Sequence, residues 1–312
     1  MDTILSLIRA HDVIVLHRHK NPDGDALGSQ IGLKHIILQN FPGKQVYMVG
    51  DDAGRYGFME DSRMDTVPDD VFEHALSIIL DCSAPHLISD DRWQKAKALC
   101  RMDHHLFCGA LAPAELVDSS FESCCGLICH LCMEKNLQVN AFAATALYTG
   151  LVTDSGRFRY DATSPRTLRC AAFLLEKGVD TGALYRNLYA TEFDQLLLRA
   201  QYTLKIQFTP SRVAYIYTTL EERAHSGADE FAISRGMVGL MGDIKGVDAW
   251  VNFTETERGV LCELRSDRYN INPIAVKYGG GGHQKASGAT VENREMAMAL
   301  LHDLNALVEE QK

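Results

Sequence analysis

The chain has 312 residues, of which 46% are hydrophobic and 23% charged, with a formal net charge of -10. This is an ordinary globular balance, long enough for one large domain or two, and its acidity disfavours long nucleic acids, whose binding requires many phosphates to be neutralised. No apolar run approaches the length of a membrane span, and Met1-Asp2-Thr3-Ile4 lacks the basic start and apolar core of a signal peptide. A soluble cytoplasmic protein without a membrane partner is therefore expected. Nine cysteines, an odd number set mostly in apolar segments, fit a reducing compartment better than a disulfide framework.

In chain order, residues 13–16 form an apolar run that reads as a short buried strand. His19-Lys20-Asn21-Pro22-Asp23-Gly24-Asp25 follows, and then a helical pattern from about 26 to 39. One imidazole and two carboxylates thus sit where a strand ends and a helix begins. Asp23 and Asp25 repel each other unless something positive lies between them, and His plus carboxylate donors suit a manganese-like or magnesium-like ion. An Asx-type turn with solvated acids and a helix N-cap fits the same residues. Further apolar runs at 45–49, 77–80, 98–102 and 114–117 end in Gly50-Asp51-Asp52, Asp81-Cys82-Ser83, Asp103-His104-His105 and Asp118-Ser119-Ser120. Helical patterns lie between most of them. This alternation predicts an α/β domain with a mostly parallel sheet, which binds ligands beyond the carboxyl ends of its strands.

Helical segments follow at 123–135 and 141–152, the second leading into a loop with Asp154, Arg157 and Arg159. Ser164, Pro165 and Gly178 mark the start and end of a further helix, with Leu168, Ala171, Ala172 and Leu175 as its apolar stripe. A more polar helical stretch at 185–204 reads as a connector, with the domain boundary near 190–205. The expected layout is a catalytic domain over 1–190, a helical connector over 191–204 and a smaller α/β domain over 205–312. Within the latter, 213–217 reads as a strand, and 249–253 and 260–264 as a strand pair joined by a polar hairpin loop at 254–259. A glycine-rich loop at 279–289 precedes a final helix from about 294 to 308.

His19, Asp23, Asp25, Asp81, His104 and His105 all fall at strand ends, and Asp154 joins them from the later loop. This inventory suffices for two divalent ions sharing a carboxylate, an arrangement that at roughly 3.5–4 Å separation supports in-line attack on phosphorus. Cys129-x-x-Cys132, with Cys124 and Cys125 nearby, could suggest zinc, but no second pair completes the site and packing is the expected role. Cys82 and Ser29 have no evident general base and are not expected to be nucleophiles.

Asp103-His104-His105, together with His19-x-x-x-Asp23-x-Asp25, resembles the DHH phosphoesterase superfamily. Gly279 to His283 resembles the glycine-rich motif of the DHHA1 domain that often follows. Length, layout and Arg55-Tyr56-x-Phe58 resemble the NrnA group of oligoribonucleases and pAp phosphatases. The resemblance implies two manganese ions, with magnesium as the alternative, and an active site in a cleft between two domains. It implies His19, Asp23 and Asp81 for one ion, and Asp25, Asp81, His104 and Asp154 for the other. Asp103 would support the ligand loop and His105 would contact the scissile phosphate. Gly280, Gly281 and Gly282 would let the backbone approach an anion. His283 and Arg265 are candidates for gripping the nucleotide, and Arg157, Arg159, Arg268 and Lys285 are weaker ones, each equally readable as a solvated charge. The expected activity is hydrolysis of oligonucleotides two to five units long, including pApA, with removal of the 3′ phosphate of pAp. Cyclic di-AMP hydrolysis and a non-enzymatic nucleotide sensor are the alternatives, and a homodimer is left open.

Overall fold

A computed structural model describes residues 1–311. It divides the chain into two compact units, Met1–Ala190 and Thr191 onward. In the first unit α1 (Asp2–Ala10), β1 (Val13–His17), α2 (Gly24–Asn40), β2 (Gln45–Met48), α3 (Asp69–Phe72), β3 (Leu76–Leu80), β4 (Ala98–Asp103) and β5 (Ala114–Val117) come first. Helices α4 (Cys124–Lys135), α5 (Ala141–Asp154), α6 (Pro165–Leu175) and α7 (Thr181–Tyr189) complete it. The five strands form one sheet in the order β2-β1-β3-β4-β5, every pair parallel. Its central strands are apolar throughout because both faces are covered. Ile14, Leu16, Leu76, Ile78 and Leu80 pack with the main helical layer, whereas Val15 packs with Phe72 and Ile79 with Trp93.

The strand order reverses between β1 and β3, so the carboxyl ends of these strands open the crevice where such sheets take their ligands. Helix α2 lies in the helical layer and is buried over most of its length. It approaches α5 so closely that a Cβ at Gly28 would lie 2.4 Å from the Ala146 carbonyl oxygen. Ser164 caps α6 in a reciprocal capping box with Thr167, with Pro165 in the first turn.

The second unit contains α8 (Phe193–Leu204), β6 (Gln207–Phe208), β7 (Ala214–Thr218), α9 (Leu220–Ser226), α10 (Glu230–Val238), β8 (Ala249–Thr256) and β9 (Gly259–Ser266). It ends with α11 (Asn272–Lys277), β10 (Gly281–His283), β11 (Ala286–Val291) and α12 (Arg294–Glu310). Its sheet runs β10-β11-β9-β8-β7-β6, with β7 and β8 parallel and the other pairs antiparallel. Alternate residues of β8 serve two cores. Val251 and Phe253 pack with Leu300 and Leu304 of α12, while Trp250 packs with Ile233 and Met237 of α10.

Three local expectations change. Strands β8 and β9 extend past the expected pair, so the hairpin loop shrinks to Glu257 and Arg258. The glycine-rich stretch is not a free loop, because Gly281–His283 pairs with β11. Glycine is obligatory there: a Cβ at Gly280 would sit 2.0 Å from the Gly288 carbonyl oxygen. Asp154 is the last residue of α5 rather than a loop residue. Among the described residues no helix is long and apolar enough to cross a membrane.

Candidate metal centre

The ends of β1, β3 and β4 and of helix α5 bring seven acid and imidazole side chains of the first unit together. His19 points Nε2 at Asp81 Oδ2 (3.5 Å) and Asp23 Oδ1 (3.8 Å). Its Nδ1 is 2.7 Å from the Lys20 carbonyl oxygen, which selects the tautomer with a free Nε2 lone pair. His104 Nε2 lies 3.3 Å from Asp81, 3.4 Å from Asp154 and 3.7 Å from Asp25. Two sets of donor atoms that share no residue converge, His19–Asp23–Asp81 and Asp25–His104–Asp154, and Asp81 forms a third with His104 and His105.

Each carboxylate is placed by backbone. Asp23 caps α2 and accepts the amides of Asp25 and Ala26, each at 2.9 Å. Asp25 is fully buried and accepts the first two amides of α4, from Cys124 (2.7 Å) and Cys125 (2.8 Å). The positive end of that helix therefore faces the acid cluster. Asp81 adopts a left-handed backbone, φ 49°, a strained conformation that clusters at functional sites. Its Oδ1 is buried and, among the described residues, no hydrogen bond is aligned on it although two imidazoles lie within 3.5 Å.

Electrostatics matches this geometry. Burial pulls His19 down, but Asp23 and Asp81 outweigh it and push its pKa up to about 11. His104, likewise opposed by burial, is raised to about 10 by Asp81, Asp25 and Asp154. Burial and the neighbouring acids raise Asp154 to about 10 and Asp25 to about 7. Burial works to raise Asp81 as well, yet the facing His104 and His19 hold it well below the usual carboxylate range. The cluster therefore holds protons that a cation would displace.

His105 is arranged differently. Its Nδ1 is 2.7 Å from Asp103 Oδ1, the same nitrogen that comes within 3.5 Å of Asp81. With Nδ1 engaged, Nε2 is the atom left for a ligand, and the ring is half exposed. The bond to Asp103 outweighs burial and raises the His105 pKa. Asp103 Oδ1 also accepts the amide of His104, and Oδ2 accepts from the buried Arg101 guanidinium. Sequence reasoning missed Arg101. Its signal is a charged pair two residues apart in a buried strand, which places both side chains on one face.

Arg157 and Arg159 follow Asp154 in this unit. Gly156, Arg157 and Phe158 have successive φ values of 55°, 61° and 64°, and the Arg157 guanidinium lies 4.3 Å from the Tyr189 ring centroid. Arg159 is exposed, its amide bonded to the Ser155 carbonyl. The remaining candidates belong to the second unit. There Arg265, Gly280, Gly281, Gly282 and His283 line a cavity of about 900 Å³. Arg235, unforeseen in the sequence, joins it and with Arg265 brackets Glu263, at 3.1 and 3.2 Å. Lys285 lies at the β10–β11 turn, and Arg268 faces Asp248 at 3.8 Å.

Comparison with known proteins agrees with this arrangement. Residues 13–151 match the DHH family, N-terminal domain, and residues 212–310 match the DHHA1 domain. The chain is 31% identical over 310 residues to the bifunctional oligoribonuclease and PAP phosphatase NrnA of Bacillus subtilis (strain 168), covering 98% of each chain. It is 34% identical over 291 residues to the probable bifunctional oligoribonuclease and PAP phosphatase NrnA of Streptococcus mutans, covering 92% of each. The crystal structure of an exopolyphosphatase-related protein from Bacteroides fragilis superposes with a TM-score of 0.87 at 25% identity, covering 99% of this chain and 97% of that one. Sheet order, clustered acids and histidines, and full-length similarity converge: the chain belongs to the DHH–DHHA1 phosphoesterase family, as a phosphoesterase of the NrnA type.

Proposed function

We propose that this phosphoesterase hydrolyses short oligonucleotides, pApA-like dinucleotides included, to mononucleotides, and removes the 3′ phosphate of pAp. The reading includes two manganese ions, with magnesium as the alternative, and a cytoplasmic setting. The observation that carries it is Asp81, a buried carboxylate facing both donor sets with one oxygen lacking an aligned hydrogen bond. In this reading His19, Asp23 and Asp81 hold one ion, and Asp25, Asp81, His104 and Asp154 the other. The donors are imidazole and carboxylate without thiolate, which suits manganese. Two such ions supply Lewis-acid polarisation of the phosphate and activation of water as nucleophile.

The chain's own groups do the rest. Asp103 favours the imidazolium form of His105, so the ring can donate from Nε2–H to a phosphoryl oxygen and offset charge that develops there. Arg265, His283 and the backbone at Gly280 to Gly282 take the nucleotide's anionic groups in the second unit. Net charge of -10 sets the size of substrate, since a small anion needs a local pocket and no extended basic face.

The test offers metal-stripped protein, with and without added manganese, pApA, an RNA trimer, pAp, cyclic di-AMP and pyrophosphate in parallel. Mononucleotides released from dimer and trimer only with metal support the proposal. Asp81→Ala and His104→Ala should each lower turnover at least about a thousandfold, the scale of losing several kcal/mol of charge stabilisation, with the fold intact. Preference for cyclic di-AMP, or nucleotide binding with no turnover, would overturn it.

A further inference from the structure

The loop that carries His19 and Asp23 is held by a residue that is itself expensive to bury. Arg18 is completely buried although charged. A guanidinium in that position requires partners for its donors. Its Nε donates to Gln30 Oε1 at 3.1 Å, and Nη1 donates to the His19 carbonyl at 3.1 Å and to Asp51 Oδ1 at 2.6 Å. Nη2 donates to the Asp51 carbonyl. Gln30 in turn donates to the carbonyls of Leu16 and Val49, at the ends of β1 and β2.

Asp51 extends the same arrangement to the other side of His19. Its Oδ2 accepts the amide of Asn21 at 2.7 Å, and Oδ1 accepts the Ser89 hydroxyl at 2.6 Å. Asn21 has a left-handed backbone, φ 52°, which a non-glycine residue keeps only when its surroundings fix it. The amide of Asn21 is thus held by Asp51, which follows β2, and the carbonyl of His19 by Arg18, which Asp51 holds in turn; β2 itself contributes no acid or imidazole to the centre. Gly50 makes room: its φ is 141°, and a Cβ there would lie 3.2 Å from the Arg18 guanidinium carbon.

We propose that Arg18 and Asp51 are positioning residues that pre-set His19, and through it Asp23, for one of the two ions. The inference rests on the two-ion reading above and adds an asymmetry to it. The Asp25–His104–Asp154 set is anchored separately, by the α4 amides and the end of α5, and does not depend on this clamp. Loss of the clamp weakens one ion and spares the other.

Manganese binding to metal-stripped full-length protein, followed by calorimetry and by the resonance signal of free Mn(II), tests this. The unaltered protein is expected to bind two ions. Asp51→Ala is expected to bind one ion with unchanged affinity and the other at least tenfold more weakly, with turnover recovering as manganese is raised. That recovery is not expected of a folding defect. Asp52→Ala, at an exposed neighbour whose carboxylate caps Gly54, is expected to behave as the unaltered protein. If Asp51→Ala does not fold, Ser89→Ala removes the two bonds that its hydroxyl makes with Asp51, and a weakening confined to one ion is expected there too. Equal weakening of both ions, or of neither, overturns the proposal while leaving the two-ion reading intact. Failure of the unaltered protein to bind manganese overturns both.

Discussion

Asp154→Asn should make the metal-free protein more stable while weakening its hold on one of the two proposed ions. Burial first, and then the charges of Asp25, Asp81 and Asp23, raise the Asp154 pKa from 3.8 to about 10. In the unfolded chain this carboxyl ionises near 3.8, whereas in the fold it must keep its proton. An acid whose folded pKa is raised costs stability as pH climbs through the window between the two values. The interval from 3.8 to pH 7, at about 1.4 kcal/mol per pH unit, caps that cost at about 4 kcal/mol. The proton is shared with Asp25 and His104, so about 2 kcal/mol is the expected gain from replacing the acid by a neutral amide of the same shape. That corresponds to a melting temperature roughly 4–8 °C higher for a unit of this size.

With manganese the order should reverse. The unaltered protein gains about 2.7 kcal/mol for each ion present at a hundred times its dissociation constant, and the variant forfeits part of this. The assay is thermal unfolding of chelator-treated protein at pH 4 and pH 7, with and without manganese. The expected difference between the two proteins is near zero at pH 4, in the variant's favour at pH 7 without metal, and against it with metal. If Asp154→Asn melts at or below the unaltered protein at pH 7 without metal, the acid cluster is not under the repulsion inferred from its geometry.

Three further predictions follow from individual contacts. His17 is fully buried, 3.0 Å from the Ser77 hydroxyl, and burial, reinforced by Arg92 against Asp90, lowers its pKa to about 4. The unfolded chain therefore takes a proton near pH 6.5 that the fold refuses, and about 3 kcal/mol of stability should be lost as pH falls from 6.5 to 4; urea titrations should show a shallower fall for His17→Gln. Asp103→Asn removes the anion that keeps His105 protonated, so turnover should drop about 10–100-fold and the basic limb of the pH–rate profile should move to lower pH. A Cβ at Gly150 would lie 2.4 Å from Cys125 Sγ and 2.7 Å from Asp25 Oδ1, so Gly150→Ala should cost about 1–3 kcal/mol in urea unfolding and weaken manganese binding.

The centre was legible in the sequence where chemistry and strand endings coincide. Fully buried parallel strands are unbroken apolar runs, so an acid or imidazole immediately after Leu80 or Met102 stands out against its background. Local signals misled where neighbours decide. Thr153-Asp154-Ser155-Gly156 has the composition of a turn, yet α5 continues to Asp154. The successive glycines have no preference for a strand, and β10 exists because β11 offers an edge that a side chain at Gly280 would foul. Helix α10 went unread because Gly236 interrupts a weak pattern, and its burial depends on β8.

The supports of the clustered acids and imidazoles were less legible than the cluster itself, and for a common physical reason. A proposed ligand announces itself by residue type at a strand end, whereas a support is defined by what it reaches. Arg18 and Arg101 each sit beside a strand end or within a strand, where a charge reads as solvated unless its partner is known. The partner of Arg18 is Asp51, 33 residues away, and the α4 amides reach Asp25 across 99 and 100 residues. Those pairings exist because the parallel order β2-β1-β3-β4-β5 brings successive carboxyl ends to one edge of the sheet. The same topology that collects the acids also collects the arginines and helix amides that hold them. Changes to a support should therefore alter how tightly and at what pH the centre takes its ions, while changes to a ligand should remove an ion or the reaction itself.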